Sequence, residues 1–244
     1  MKIKSLAACN LPLAISRNTM KKQRSYTQLL IFLTLLFASI VATTMIVLRA
    51  WYSGRLLYSF LIWNLILAWL PFLFAWAAYR KPFIAVLYGP LWLLFLPNAP
   101  YLVTDLIHLR HFDAVPIWYD AIMLFTFALT GLMLGFMSLY MMQSLVARRV
   151  GAVWSWLFVV AAVGMSGYGV YVGRFLRWNS WDIFTQPLGL LNDIANSLLN
   201  PAFFPKTYTV SFSLSAIMLF AYIIMVAMPH LGTSMQVASE QVGK

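Results

Sequence analysis

The chain is poor in several things that most proteins have. Its 244 residues include a single cysteine, Cys9, so neither an internal disulfide framework nor a multi-cysteine metal site can form. It has only six acidic residues, and charged side chains of both signs make up 9% of it, where a soluble domain carries about 25%. That is too little polar surface to face water all round. Beyond the N-terminus there is no charge block or polar tail to mark a soluble second domain. There is also no Walker loop, dinucleotide-binding glycine fingerprint, Gly-x-Ser-x-Gly elbow, haem-attachment motif or His-Glu-x-x-His pair, so ordinary cofactor enzymology has no support.

What is present is apolar surface: 62% of the residues are hydrophobic and 16% are aromatic. Six runs reach the roughly 20 residues needed to cross a hydrocarbon core. They lie near Tyr26–Leu48, Leu57–Tyr79, Phe83–Val103, Trp118–Met142, Ala152–Gly173 and Tyr208–Met228. An isolated span in lipid must satisfy its own backbone hydrogen bonds, so each run predicts an α-helix. The expected fold is an all-α polytopic membrane bundle of six transmembrane helices in a lipid bilayer.

The net charge of +11 does not point to nucleic acid, because the basic residues fall in short clusters between the apolar runs. Counted on alternate sides of the six spans, eleven of the 17 Lys and Arg fall with Arg80, Lys81, Arg148, Arg149 and both termini. The positive-inside rule makes that side cytoplasmic. Asp105, Asp113, Asp120, Asp182 and Asp193 all fall on the other side, and only Glu240 lies within. Acids are weak topology signals, so this bias reads as chemistry. The expected organisation is an N-terminal extension over 1–25, a six-span domain over 26–230 and a cytoplasmic tail over 231–244. Lys2, Lys4 and Leu6-Ala7-Ala8-Cys9 resemble a lipoprotein signal, but the apolar segment before Cys9 falls short of the about 7–15 residues one requires. Met20-Lys21-Lys22 reads better as the natural start, with the first span an uncleaved anchor.

Glycines four apart, Gly131 with Gly135 and Gly169 with Gly173, let helices approach closely in lipid, and intramolecular packing of spans four and five is expected from them. In the third span Pro97 and Pro100 each remove a backbone donor, which predicts a kink or break around Asn98. Asn98 then either caps the restarted helix or lines a cavity where freed carbonyls find partners.

Beyond the break, Asp105, His108 and His111 recur at intervals of three and share a face if the helix continues. A carboxylate and an imidazole one turn apart suit an acid/base pair or two ligands of a divalent metal; a solvated helix end is the plainer reading. Counting about 1.5 Å per residue from the basic clusters brings Asp105, Tyr119, Asp120 and Arg174 to one depth at the outer interface. Arg177, Asn179 and Asp182 follow there with Trp178 and Trp181, which suit an interfacial aromatic belt.

This layer has two readings. As a site, Asp105, His108 and Asp120 carry the catalytic chemistry, while Asn98, Tyr119, Arg174, Arg177, Asn179 and Asp182 bind a membrane-associated or small anionic ligand. As packing, Arg174 neutralises Asp120 or Asp105 so that helix ends close without an unpaired charge. Between Arg174 and Thr207, the apolar positions Leu191, Ile194, Ala195, Leu198 and Leu199 predict an amphipathic helix lying on the surface or closing as a lid. Between their interfacial ends the spans hold no Lys, Arg, Asp, Glu or His, only Asn64 and scattered hydroxyls and amides, which disfavours coupled ion transport.

The runs Leu96-Pro97-Asn98-Ala99-Pro100-Tyr101-Leu102-Val103-Thr104-Asp105-Leu106-Ile107-His108, Trp118-Tyr119-Asp120 and Gly173-Arg174-Phe175-Leu176-Arg177-Trp178-Asn179-Ser180-Trp181-Asp182 resemble a family of bacterial multi-pass membrane proteins of unknown function. The resemblance implies a bacterial cytoplasmic-membrane location and no activity. Three functions remain open: an outward-facing site for an anionic substrate, a passive channel for a small neutral solute, and an assembly subunit of an envelope complex.

Overall fold

The computed structural model describes residues 11–110 and 115–242, with side chains over 26–110 and 115–229. It is all-α. Helices α1 (Leu11–Ser53), α2 (Phe60–Arg80), α3 (Ala85–Phe95), α4 (Asn98–Thr104), α5 (Ile117–Val150), α6 (Ala152–Arg174), α7 (Asp182–Thr185), α8 (Pro187–Leu199) and α9 (Pro205–Val242) follow in order, with 3-10 turns at Pro82–Ile84 and Asp105–His108. Six stretches are long and apolar enough to cross a membrane, and they coincide with the six expected runs. His111 and Asp113 lie outside the described residues, as do residues 1–10 of the N-terminal extension.

Helix α5 is the hub. Some 61% of its most apolar window is buried inside the protein, against 39% or less for each other span. Ile46 of α1, Leu61 and Leu65 of α2, Leu102 of α4 and Leu124 and Phe127 of α5 form one buried cluster. Trp92, Phe136, Val163 and Tyr222 centre a second, in which Trp92 Nε1 donates to Ser138 Oγ at 3.1 Å. Outward-facing Phe37, Phe125, Phe212 and Phe220 are exposed, a surface that lipid rather than water would cover.

The two prolines break the third span where expected: α3 stops at Phe95 and α4 starts at Asn98. Pro97 and Pro100 bring no N–H to the ladder. Ala99 N–H turns back to the Leu96 carbonyl at 3.1 Å, and Asn98 Nδ2 donates to the Phe95 carbonyl at 3.0 Å. The side chain of Asn98 therefore satisfies a carbonyl at the break; it does not cap α4.

Both glycine pairs pack within the chain, but their partner differs from the expected one. Spans four and five meet the broken third span through them. A Cβ on Gly131 would sit 2.6 Å from the Ala99 carbonyl oxygen, and one on Gly135 would sit 3.0 Å from Ala99 Cβ. Gly169 faces Pro97 and Gly173 faces Tyr101. The α4 segment is thus a wedge between α5 and α6, seated where the absence of side chains lets backbones touch.

The amphipathic helix forms as α8, with Pro187 at its first turn. Its apolar positions divide between the bundle and the outside. Leu191, Leu198 and Leu199 are exposed, and the seam against the bundle runs through Leu190, Ile194 and Ser197. Asp193, expected on the solvent face, accepts from Trp178 Nε1 at 2.9 Å. Tyr168 of α6 bonds Ser197 Oγ at 2.9 Å. The helix is fastened by hydrogen bonds, which leaves its leucines available to lipid.

Candidate functional site

Asp105 sits at the end of α4, fully buried, and both its carboxylate oxygens are occupied. Oδ1 accepts from Arg174 Nη2 at 2.6 Å, and Oδ2 accepts from Asn64 Nδ2 at 2.9 Å. Arg174 also donates from Nε to Thr104 Oγ1 at 3.2 Å, and its guanidinium lies 4.8 Å over the Tyr101 ring. One carboxylate, one guanidinium and one amide thereby tie α2, the broken third span and α6 together. Of the two partners that sequence allowed for Arg174, the geometry selects Asp105.

Asp120 belongs to a different pair. Its Oδ1 accepts from Arg49 Nε at 2.6 Å and its Oδ2 from Arg49 Nη2 at 2.8 Å, a two-pronged pairing with both side chains essentially fully buried. Tyr58 connects the two pairs. The Arg49 guanidinium lies 4.9 Å over its ring, and its hydroxyl donates to the His108 carbonyl at 3.0 Å. Tyr58 holds φ +65, a left-handed conformation that costs a non-glycine residue free energy and persists here because both ends of the side chain are gripped.

The acid/base geometry expected for Asp105 and His108 is not met. The two do share a face of the 3-10 turn, but His108 Nδ1 is 3.8 Å from Asp105 Oδ1, beyond hydrogen-bond reach, and the side chain is 37% exposed. The donor set does not suit a divalent cation either. A metal at Asp105 would have to displace Arg174 or Asn64, and no group of three or more His, Cys, Asp or Glu side chains is gathered among the described residues.

Alongside this clamp lies a cavity of about 520 Å³, bounded by α2, α3, α4, α6, the turn at Trp178–Ile183 and α8. Leu67, Leu93, Leu94 and Met165 give it apolar walls. Asn64, Asn98, Asn179 and Ser180 supply its amides and hydroxyl, and Trp63, Tyr101, Tyr168 and Trp178 its rings. The protein uses these amides in one sense only. Asn64 Nδ2 is given to Asp105, Asn98 Nδ2 to Phe95 O and, at 3.1 Å, to Ser180 Oγ, and Asn179 Nδ2 to Asp182. Because carboxylates and carbonyls only accept, these assignments fix each amide's orientation. Among the described residues no hydrogen bond reaches Oδ1 of Asn64, Asn98 or Asn179. Three amide oxygens of cavity-lining residues are thus unused among the described residues.

The other expected site residues are placed elsewhere. Tyr119 donates to the Met45 carbonyl at 2.9 Å, fastening α5 to α1 away from the cavity. Arg177 is exposed at φ +63 and makes no ion pair with a described residue, whereas Arg174 is committed to Asp105. Asp182 shapes the turn: its Oδ2 accepts from the Asn179 backbone N–H at 2.7 Å, as the acid of a capping box does, and so presents Asn179 and Ser180 to the cavity. Those hydrogen bonds hold its carboxyl below the usual carboxylate range. A depressed folded-state value means that the turn's stabilisation is complete above the ordinary aspartate range and is lost as pH falls through the lower folded value. The labelled Asn179 amide resonance should therefore titrate with a midpoint below that of a free aspartate and stay flat in Asp182→Asn. A midpoint at or above the free value contradicts the bond.

Sequence reasoning missed Arg49, Tyr58 and the part played by Asn64. Arg49 carried a signal, as the one cation at the end of an otherwise uncharged run, and Asn64 was already conspicuous as an amide within a span. Tyr58 carried none. No match to the chain is found among curated proteins or solved structures. Residues 63–226, which hold the broken span, Asp120, Arg174 and the turn at Asp182, match the DUF1361 family, described as proteins of unknown function, and the chain belongs to that family.

Proposed function

We propose that the chain binds an amphipathic molecule that resides in the membrane, with its apolar part between α2, α3 and α6 and its polar head under α8. The observation that carries this reading is the pairing of apolar walls with three Asn acceptors that no described residue uses. Unused acceptors call for donors, so the head bears hydroxyl or N–H groups. Aromatic rings beside them provide flat apolar faces for the ring or chain of such a head. A phosphate or carboxylate would meet acceptor oxygens, and Arg174 is already committed to Asp105. This replaces the anionic ligand expected from sequence. The two Arg–Asp pairs act as a frame that holds the cavity open.

In this reading the chain is a bacterial cytoplasmic-membrane protein with the cavity end outward and both termini, including the 1–25 extension and the 231–244 tail, on the cytoplasmic side. The charge count along the sequence supports that orientation. The test is the lipid carried through purification in mild detergent. Wild type should retain one hydroxyl- or amide-headed lipid class in stoichiometric amount, and Val172→Trp, which fills the cavity, should lower it roughly tenfold at unchanged thermal stability. Equal retention by both proteins contradicts the proposal, and Leu94→Trp provides a second variant if the first fails to fold.

A further inference from the structure

The opposite end of the bundle presents exposed Arg80, Lys81, Arg148 and Arg149. No carboxylate neutralises them among the described residues; Asp105, Asp120, Asp182 and Asp193 are bonded to groups at the cavity end. The arginines are instead held by neutral groups. Arg148 Nη2 donates to the Tyr79 hydroxyl at 2.7 Å and the guanidinium lies 4.7 Å over that ring. Arg80 lies 4.6 Å over the Trp76 ring. Trp76 and Tyr79, on one face of α2, both line an apolar groove of about 280 Å³, with Ile31 of α1, Phe72 of α2 and Met137 and Met141 of α5.

We propose that this groove and the two stacked arginines bind one anionic glycerophospholipid, its acyl chain along Ile31, Phe72 and Met141 and its phosphodiester at Arg80 and Arg148. Charge complementarity selects the head. With no carboxylate partner among the described residues, these guanidinium groups favour a phosphodiester that carries net charge over one offset by its own choline. Ring stacking orders both side chains beforehand, so less rotamer freedom is lost on binding. Unbranched methionines adapt to a flexible chain. A diffuse basic surface would attract anionic lipids without a groove, and the test must separate the two.

The chain is reconstituted in phosphatidylcholine bilayers with spin-labelled phosphatidylglycerol or spin-labelled phosphatidylcholine, and the immobilised fraction of each label is measured. We expect phosphatidylglycerol to associate several-fold more strongly. The preference should fall to near parity in R80Q/R148Q and also in Met141→Trp, which blocks the groove with every charge in place. Arg55→Gln, at the cavity end, should leave it unchanged. Equal association of both lipids with wild type overturns the site. So does a preference that survives Met141→Trp, which would mark surface attraction alone, and so does displacement of the labelled lipid by inorganic phosphate, which would mark an ion site.

Discussion

Arg174→Ala is expected to destabilise the protein by about 3–5 kcal/mol, measured by unfolding in mixed micelles, because it leaves Asp105 buried and charged with Asn64 as its remaining side-chain partner. The Coulomb energy of the pair in itself is not the reason. Bringing two charges out of water is costly, and replacing a buried pair by apolar groups of similar volume is often neutral or better. The double variant Asp105→Leu/Arg174→Met should therefore recover most of what Arg174→Ala loses. A frame permits that recovery. If instead Arg174→Ala changes stability by less than about 0.5 kcal/mol, the carboxylate is not held in the closed geometry described.

Arg49→Met should cost a similar amount, about 3–5 kcal/mol, for the same reason at Asp120. It should also do something that Arg174→Ala does not. The guanidinium of Arg49 covers the ring of Tyr58, and Tyr58 reaches the His108 carbonyl one turn beyond Asp105. Loss of that cover frees Tyr58 to leave its left-handed conformation, which loosens the second pair. A double-mutant cycle between Arg49→Met and Arg174→Met should then show coupling of about 0.5–3 kcal/mol. Additive effects would mean that the pairs stand apart and that Tyr58 transmits nothing.

How much of this was legible depended on whether the governing physics is local. Span positions are local, since a run of apolar residues of bilayer length has one stable outcome in lipid, and all six were readable. The break at Pro97 was readable for the same reason: a missing N–H acts on its own helix. Depth counting likewise brought Asp105, Arg174 and Asp120 to one end of the bundle. Partner choice is not local. Arg174 could face either acid by depth, and the wedge of α4 between the glycine faces of α5 and α6 brings Asp105 to it. Arg49 read as a cation at the end of the first span, until α1 proved to continue to Ser53 and carry it inward. In α8 the helical pattern identified which residues share a face; hydrogen bonds from Trp178 and Tyr168 then decided which face meets the protein.

Density from the protein in a lipid bilayer should show, in the space between Leu94, Gly169 and Ser180, one elongated feature with its tail against Leu67 and Leu94 and its head within hydrogen-bond reach of the side-chain oxygens of Asn64 and Asn98. A space filled by scattered water, or closed by Trp63 and Trp181 meeting Met165, would contradict the proposal.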